Sequence, residues 1–236
     1  MRLSSRRKDI QRERMWRYFI DATVKVIEEE GINNVTIRKV ADHAGYTSST
    51  VYNYFKELSH LVFFAAMRFT KDYTDELPQY MEKGNNTVEK WLYSWECFCR
   101  ETFLKPEIYS AIFVNNLGVI PEDLLDHYYK TYKQDLVDLP RPIQSIVLQH
   151  QLAKRSSLYL QSAVDEGLLD QEDIEFLTDT TLLVWKGMLV TYLNQRQNYS
   201  VEEVTQKSLE YIHDIVMKSV KAEKREKIEV DFIKKE

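Results

Sequence analysis

Apolar residues along this chain recur every three or four positions. No run alternates with period two long enough to make a sheet, so nearly everything from Ile10 to Lys224 is predicted to be helical. The clearest local pattern lies between Thr36 and Lys56. Ile37, Val40, Ala41 and Ala44 fall on one face of a predicted helix over 37–44, with Thr36 placed to cap it. Gly45 follows where the helix must stop, in a left-handed conformation that costs glycine little. Thr47 or Ser48 can cap a second helix, about 48–55, which buries Val51 and Phe55. That leaves Thr47, Ser49, Thr50, Tyr52, Asn53, Tyr54 and Lys56 shared between the surface and a partner. Two short helices about one glycine make a helix-turn-helix pattern, although an ordinary helical corner would share it.

Further along, Pro78, Gly84, Pro106, Gly118, Pro121, Pro140, Pro142, Gly167 and Asn198 punctuate the chain. They predict helices at 58–76, 88–104, 107–117, 122–137, 143–166, 172–195 and 201–224, and the charged tail over 221–236 is expected to fray in part. A small N-terminal domain, 1–57, is thus expected to lead through helix 58–76 into a larger helical domain, 58–236.

Charge sharpens this division. The chain of 236 residues carries a net charge of −5, yet residues 1–56 hold 11 Lys and Arg against 7 Asp and Glu, a net of +4. The remainder holds 21 against 30, a net of −9. An acidic protein therefore contains a basic N-terminal module, and the Arg-dense run from Ser4 to Arg17, with Arg6 and Arg7, is expected to meet phosphates. Arg38, at the start of the first motif helix, is a further phosphate candidate, preferred over Lys39. No apolar stretch approaches the ~20 residues that span a bilayer, and the basic start lacks the apolar run of a signal peptide. A cytoplasmic protein without membrane partners is expected.

The residues Phe19 to Gly31, Val35-Thr36-Ile37 and Val51-Tyr52-Asn53-Tyr54-Phe55 together resemble the tetracycline-repressor-like (TetR) regulators of bacteria, with about forty residues matching in order and spacing. The resemblance implies that Thr36, Thr47, Ser48, Ser49, Thr50, Tyr52, Tyr54 and Lys56 contact DNA. It also implies a pocket among the middle helices and a four-helix dimer interface from the last two helices of each subunit. Relatives commonly carry Lys-Gly at Ser48-Ser49 and Ser-Lys-Glu at Glu57-Leu58-Ser59, so Lys56 and the N-terminal arginines are expected to carry more of the phosphate binding. On groove chemistry, Thr47, Ser49 and Thr50 offer hydroxyls to base edges, whereas Thr36, Tyr52 and Tyr54 suit phosphate oxygens; either tyrosine could instead pack in the core.

In the larger domain, aromatic residues are spread over several helices. Stripes of this kind are usually core, but Trp91, Trp95, Phe98, Phe113, Tyr128 and Trp185, with His150 as a polar anchor, are the candidates for a ligand pocket. The last two helices show apolar residues on more than one face, and Val184, Gly187, Tyr211 and Ile215 are the candidate dimer contacts. Cys97 and Cys99 are badly spaced for a bridge or a shared metal, and no phosphate loop, nucleophile elbow or zinc spacing occurs, so no catalytic residue, metal or cofactor is expected. The expected protein is all-α, a three-helix helix-turn-helix DNA-binding domain followed by a helical ligand-binding and dimerisation domain. It is expected to be a homodimeric repressor of a palindromic double-stranded operator, released by a small apolar or aromatic effector. The alternative is a DNA-binding adaptor whose helical domain recruits a protein.

Overall fold

The computed structural model of the chain describes residues 2–118, 121–132 and 152–233. Every regular element among these residues is a helix. In chain order they are α1 (Arg2–Glu30), α2 (Ile37–Ala44), α3 (Ser48–Tyr52), α4 (Leu58–Arg68), α5 (Lys71–Glu82), α6 (Thr87–Leu104), α7 (Pro106–Phe113), α8 (Pro121–Thr131), α9 (Leu152–Asp165), α10 (Asp173–Leu193) and α11 (Val201–Ser219). Short 3-10 turns lie at Ile32–Asn34 and Ala222–Lys227. The helices fall into two compact units, one built from residues up to 71 with 107–132, the other from 72–106 with 152–233.

The first unit packs α1 against α2 and α4, and α2 against α3. Its core is Phe19, Ile20 and Val26 of α1, Val40 and Ala41 of α2, Val51 of α3, and Leu61 and Phe63 of α4, all essentially without solvent contact. Trp16 sits beside this core, stacked on Phe55 (ring centroids 5.4 Å apart) and on His127 of α8 (4.3 Å), with Phe64 edge-on at 4.3 Å. Such ring pairs contribute roughly 0.5–1.5 kcal/mol each beyond the area they bury.

The second unit is organised around α6, which packs against α9, α10 and α11. The approach to α6 requires Gly84, because a Cβ there would lie 2.5 Å from the Lys90 backbone nitrogen. Asn86 then caps α6, its side chain accepting the Glu89 N–H at 3.0 Å, while Glu89 accepts from Asn85 N–H at 2.7 Å. Trp185 of α10 is wholly buried and donates its indole N–H to Thr102 of α6 at 3.2 Å. A reciprocal capping box of Ser200 and Glu203 opens α11.

Several boundaries differ from the sequence expectation. Helix α1 begins at Arg2 rather than near Ile10, since the run Arg2–Lys8 contains good helix formers and no breaker. The helix expected over 58–76 is two helices. It ends at Arg68, where Phe69 and Thr70 bond back three residues and the Thr70 hydroxyl donates to the Met67 carbonyl at 2.8 Å. Pro78, read as a breaker, lies inside α5, whose backbone accommodates the fixed φ of the ring at the loss of one donor. The stretch expected to be helical over 107–117 stops at Phe113, because Asn115 N–H reaches back to the Ser110 carbonyl and its side chain accepts the Ser110 hydroxyl.

The described part of the C-terminal tail, through residue 233, is docked. Its backbone donates from Glu229 to the buried Glu89 carboxylate at 2.9 Å and from Asp231 to the Tyr93 hydroxyl at 3.3 Å. Phe232 sets its ring edge-on to Tyr93 at 5.6 Å, and its carbonyl accepts from Gln206 of α11 at 3.1 Å. A charged composition fails to reveal this docking because the tail is held by its backbone groups, which every sequence possesses.

Candidate nucleic-acid interface and effector cavity

The helix-turn-helix forms as its local chemistry dictates. Thr36 has an extended backbone and its hydroxyl accepts the Lys39 N–H at 3.3 Å, so it caps α2. Gly45 adopts φ 67° and closes α2 through its N–H to the Asp42 carbonyl at 3.1 Å. Any other residue would be strained there, by about 1–2 kcal/mol. Thr47 occupies the cap position of α3, but its hydroxyl bonds no backbone N–H. Instead it lies 2.8 Å from the Ser49 hydroxyl and 3.0 Å from that of Thr50, a small hydroxyl cluster at the start of the helix. Thr47 therefore takes the cap position, as one of the two expected residues, but without a side-chain bond to the backbone, because the neighbouring hydroxyls compete for it. The helix is also shorter than expected, ending at Tyr52, where Asn53 and Tyr54 bond back three residues and Phe55 returns to the core.

Around this turn, Thr36, Arg38, Thr47, Ser49, Tyr52 and Lys56 are exposed, and Ser48, Thr50 and Tyr54 are half-buried. The two tyrosines separate. Tyr54 lays its ring near Phe19 (5.5 Å), whereas Tyr52 is 54 % exposed, a large apolar ring left in water. The two cations of α2 separate as well. Lys39 is engaged by Glu30 at 2.6 Å and by the Asn34 carbonyl at 3.0 Å, while Arg38 extends into solvent with only a 3.9 Å approach to Asp42. Arg7 is exposed on α1; the side chain of Arg6 lies outside the described residues.

Two exposed aromatic residues beside the turn escape a reading based on periodicity. Tyr46, directly after Gly45, meets Tyr18 of α1 edge-on at 6.0 Å and Phe19 at 5.6 Å, and its hydroxyl lies 3.8 Å from the Met15 sulfur. The only sequence signal is an aromatic residue in a turn that usually takes small polar ones.

In the second unit, a cavity of about 60 Å³ opens between α5, α6, α9 and α10. Its walls include Tyr73, Leu77, Trp91, Trp95, Phe98 and Tyr159, and among the described residues no charged side chain lines it. Ser94, Ser156 and the Tyr159 hydroxyl supply polarity, and the buried Trp95 indole N–H has no hydrogen-bond partner among the described residues. Of the candidate pocket residues, Trp91, Trp95 and Phe98 thus share one wall, and Trp185 backs it, 4.9 Å from Phe98. Phe113 and Tyr128 belong to the first unit, where Tyr128 stacks on Tyr132 at 5.0 Å, so they do not line this cavity. His150 lies outside the described residues. Cys97 and Cys99 are both buried on α6, and burial pushes both thiols far above their ordinary pKa, which leaves them as packing residues without thiolate chemistry.

On α10, Phe176, Leu183 and Val190 are exposed at seven-residue spacing (61 %, 68 % and 42 %), and Tyr211 of α11 is exposed too. Gly187 lies among them with open space around it, and Val184 and Ile215 are half-buried. Among the described residues no helix is long and apolar enough to cross a membrane, and no group of His, Cys, Asp and Glu side chains could hold a metal ion.

Residues 19–62 match the family model described as bacterial regulatory proteins of the tetR family. A helix-turn-helix transcriptional regulator of Staphylococcus aureus (strain bovine RF122 / ET3-1) is 22 % identical over 117 residues, which are 47 % of this chain and 63 % of that protein, so the likeness spans under two thirds of the relative's length. Among solved structures, RolR in complex with resorcinol matches with a TM-score of 0.58 at 16 % identity, over 88 % of this chain and 95 % of RolR. Thermus thermophilus FadR, a TetR-family repressor in complex with lauroyl-CoA, matches at 0.54 and 14 %, over 86 % and 94 %. These structural likenesses speak to the fold, and the family match falls on the turn whose geometry is described above. Residues 19–62, which hold the capped helix pair about Gly45, are thus similar to the helix-turn-helix segment of the tetR family of bacterial regulatory proteins.

Proposed function

We propose that this protein is a homodimeric transcriptional repressor that binds a palindromic operator through α2 and α3 and leaves it when a small, uncharged aromatic molecule occupies the cavity of the second unit. The observation that carries the DNA half is the exposed set around Gly45: the hydroxyls of Thr47 and Ser49 at the start of α3, with Tyr52, Lys56 and Arg38 free to reach solvent. A helix entering the major groove presents its first residues to base edges, so the hydroxyls would read bases. Thr36, Tyr52, Arg38 and Lys56 would hold phosphates, with Arg6 and Arg7 adding charge upstream. The division into a DNA-binding part, 1–57, and an effector and dimer part, 58–236, belongs to this proposal.

The cavity favours an effector over a protein partner, because a small, partly open apolar space with a few polar groups suits a small ring better than a peptide chain. Its size admits roughly four to six water-sized groups, the scale of one ring. With no charged side chain among the described lining residues, an ionised ligand would lose hydration that these walls do not replace. A coupling of only about 1 kcal/mol between cavity and DNA site lowers operator affinity about fivefold.

The test is fluorescence anisotropy on the DNA upstream of the protein's own gene. The Tyr52→Ala, Lys56→Ala double variant is expected to lose at least tenfold in affinity while keeping its thermal transition; undiminished binding would sink the DNA half. In the same assay, resorcinol, the ligand named with RolR, serves as a neutral probe. Release of DNA by resorcinol and not by benzoate supports the uncharged aromatic class, and equal indifference to both argues against it.

The dimer half rests on the exposed stripe Phe176, Leu183 and Val190 with Gly187 and Tyr211, which a two-fold partner would cover; Val184 and Ile215 would pack at its edge. Leu183→Glu is expected to convert the dimer to monomers in sedimentation velocity, and an unchanged sedimentation coefficient would overturn this interface.

A further inference from the structure

We propose that the upstream half of α1 is a rigid second DNA-binding element, whose face bearing Arg7 and Arg14 lies along the phosphate backbone outside the half-site read by α3. The inference rests on the operator-binding reading above and says where the additional contact falls and what holds it. Helix α1 runs unbroken from Arg2, whereas the family match begins at residue 19, so about 17 residues, or ~25 Å of helix, precede the matched segment.

The two faces of this segment have different partners. On one face, Trp16 is buried against Phe55, Phe64 and His127, and Arg17 is paired with Glu13 at 2.9 Å and donates to the Thr131 carbonyl. That side is committed to the module's own packing. The other face carries Arg7, Gln11, Arg14 and Tyr18, at spacings of four, three and four that align them along the helix. All four are exposed, no carboxylate lies three or four residues from Arg7, Gln11 or Arg14 along the helix, and Asp21 continues the face only below Tyr18.

This face is continuous with the turn that delivers α3. Tyr18, at its lower end, meets Tyr46 edge-on, and Tyr46 is gripped by Met15 and Phe19 of the same helix. The position of the arginines relative to the turn is therefore set by packing, and the helix between them leaves little freedom. Arg14 and Arg7 stand ~6 and ~16 Å up the axis from Tyr18. A run of positive side chains at that spacing, starting beside a major-groove element, complements a duplex that carries one negative charge per ~1.7 Å of its length. A flexible arm would lose conformational entropy on binding the same phosphates; an already formed helix does not.

Two duplexes test this, one ending at the edges of the footprint left by α2 and α3, the other extended by about 7 base pairs on each side, which matches the ~25 Å of helix. Anisotropy is followed across a salt series for the wild type, for Arg7→Ala with Arg14→Ala, and for Arg7→Glu with Arg14→Glu. Alanine retains the helix, which circular dichroism verifies. The alanine variant is expected to bind the extended duplex 5- to 20-fold more weakly, with a salt slope smaller by about 2 per bound protomer, and the short duplex within twofold of wild type. The glutamate variant is expected to lose more on the extended duplex. If both variants match the wild type on both duplexes, or weaken both duplexes equally, the flanking contact is overturned. The Tyr52→Ala, Lys56→Ala variant separates the two readings, because it should weaken both duplexes. If it weakens neither, the operator reading falls and the flanking contact falls with it.

Discussion

Phe19→Ala is expected to destabilise the first unit by about 3–5 kcal/mol and to weaken duplex DNA binding at least tenfold under conditions where the variant is still folded. The ring has no solvent exposure, and its removal leaves a cavity that a close-packed helical core closes only in part. The effect on binding follows from what the ring touches. Tyr46, before α3, and Tyr54, after it, both lean on Phe19, at 5.6 and 5.5 Å. One side chain of α1 thus steadies the entry and the exit of α3, which is only five residues long. A helix so short is not stable by its own hydrogen bonds, so its orientation depends on these side contacts. Phe19→Leu keeps most of the apolar volume and should lose under about 1.5 kcal/mol. Urea denaturation gives the stability change, and anisotropy gives the binding change. A loss below ~1 kcal/mol in Phe19→Ala would show that the turn is held by other groups.

Trp185→Ala should have a comparable cost in the second unit, about 3–5 kcal/mol. Trp185 is among the largest wholly buried side chains, packs on Phe98 at 4.9 Å, and is the donor to the Thr102 hydroxyl. Truncation therefore creates a void and removes the donor facing a buried hydroxyl, which by itself costs about 1–3 kcal/mol. Because Phe98 forms part of the cavity wall, the variant should also enlarge or collapse the proposed effector site. Combining Trp185→Phe with Thr102→Val removes both partners of the bond together and is expected to cost less than Trp185→Phe alone. Chemical denaturation of the four proteins decides this. If Trp185→Phe loses nothing, the indole hydrogen bond contributes nothing to the fold.

These two residues also mark how far the sequence could be read. The motif 36–56 was legible almost to the residue: α2 spans the predicted 37–44, Thr36 caps it, Gly45 is left-handed, and Val51 and Phe55 are buried. Each of these features arises from interactions within about four residues, which the order of the amino acids specifies directly. Legibility fell where two local preferences competed. Thr47 stands at the cap position of α3, yet its hydroxyl is drawn to Ser49 and Thr50; nothing in the sequence ranks these partners. The expected continuous helix over 58–76 failed for the same kind of reason, since Thr70 turns its hydroxyl onto the Met67 carbonyl where the periodic pattern continues.

The aromatic residues show the other limit. Trp91, Trp95, Phe98, Phe113, Tyr128 and Trp185 look alike in the sequence, all apolar and all on helices. Only the fold distributes them, three to a cavity wall, one behind it and two to the other unit. The amino-acid order alone determined that the chain is helical, that a basic module precedes an acidic one, and that a capped, glycine-hinged helix pair lies at 36–56, because periodicity, charge and capping are short-range or additive. Tertiary structure alone decided that Tyr46 meets Tyr18 across 28 residues, that the cavity collects side chains from Tyr73 to Leu182, and that the tail docks on Glu89 and Tyr93. Those depend on which buried surfaces fit one another, and packing between distant segments leaves no periodic trace in either of them.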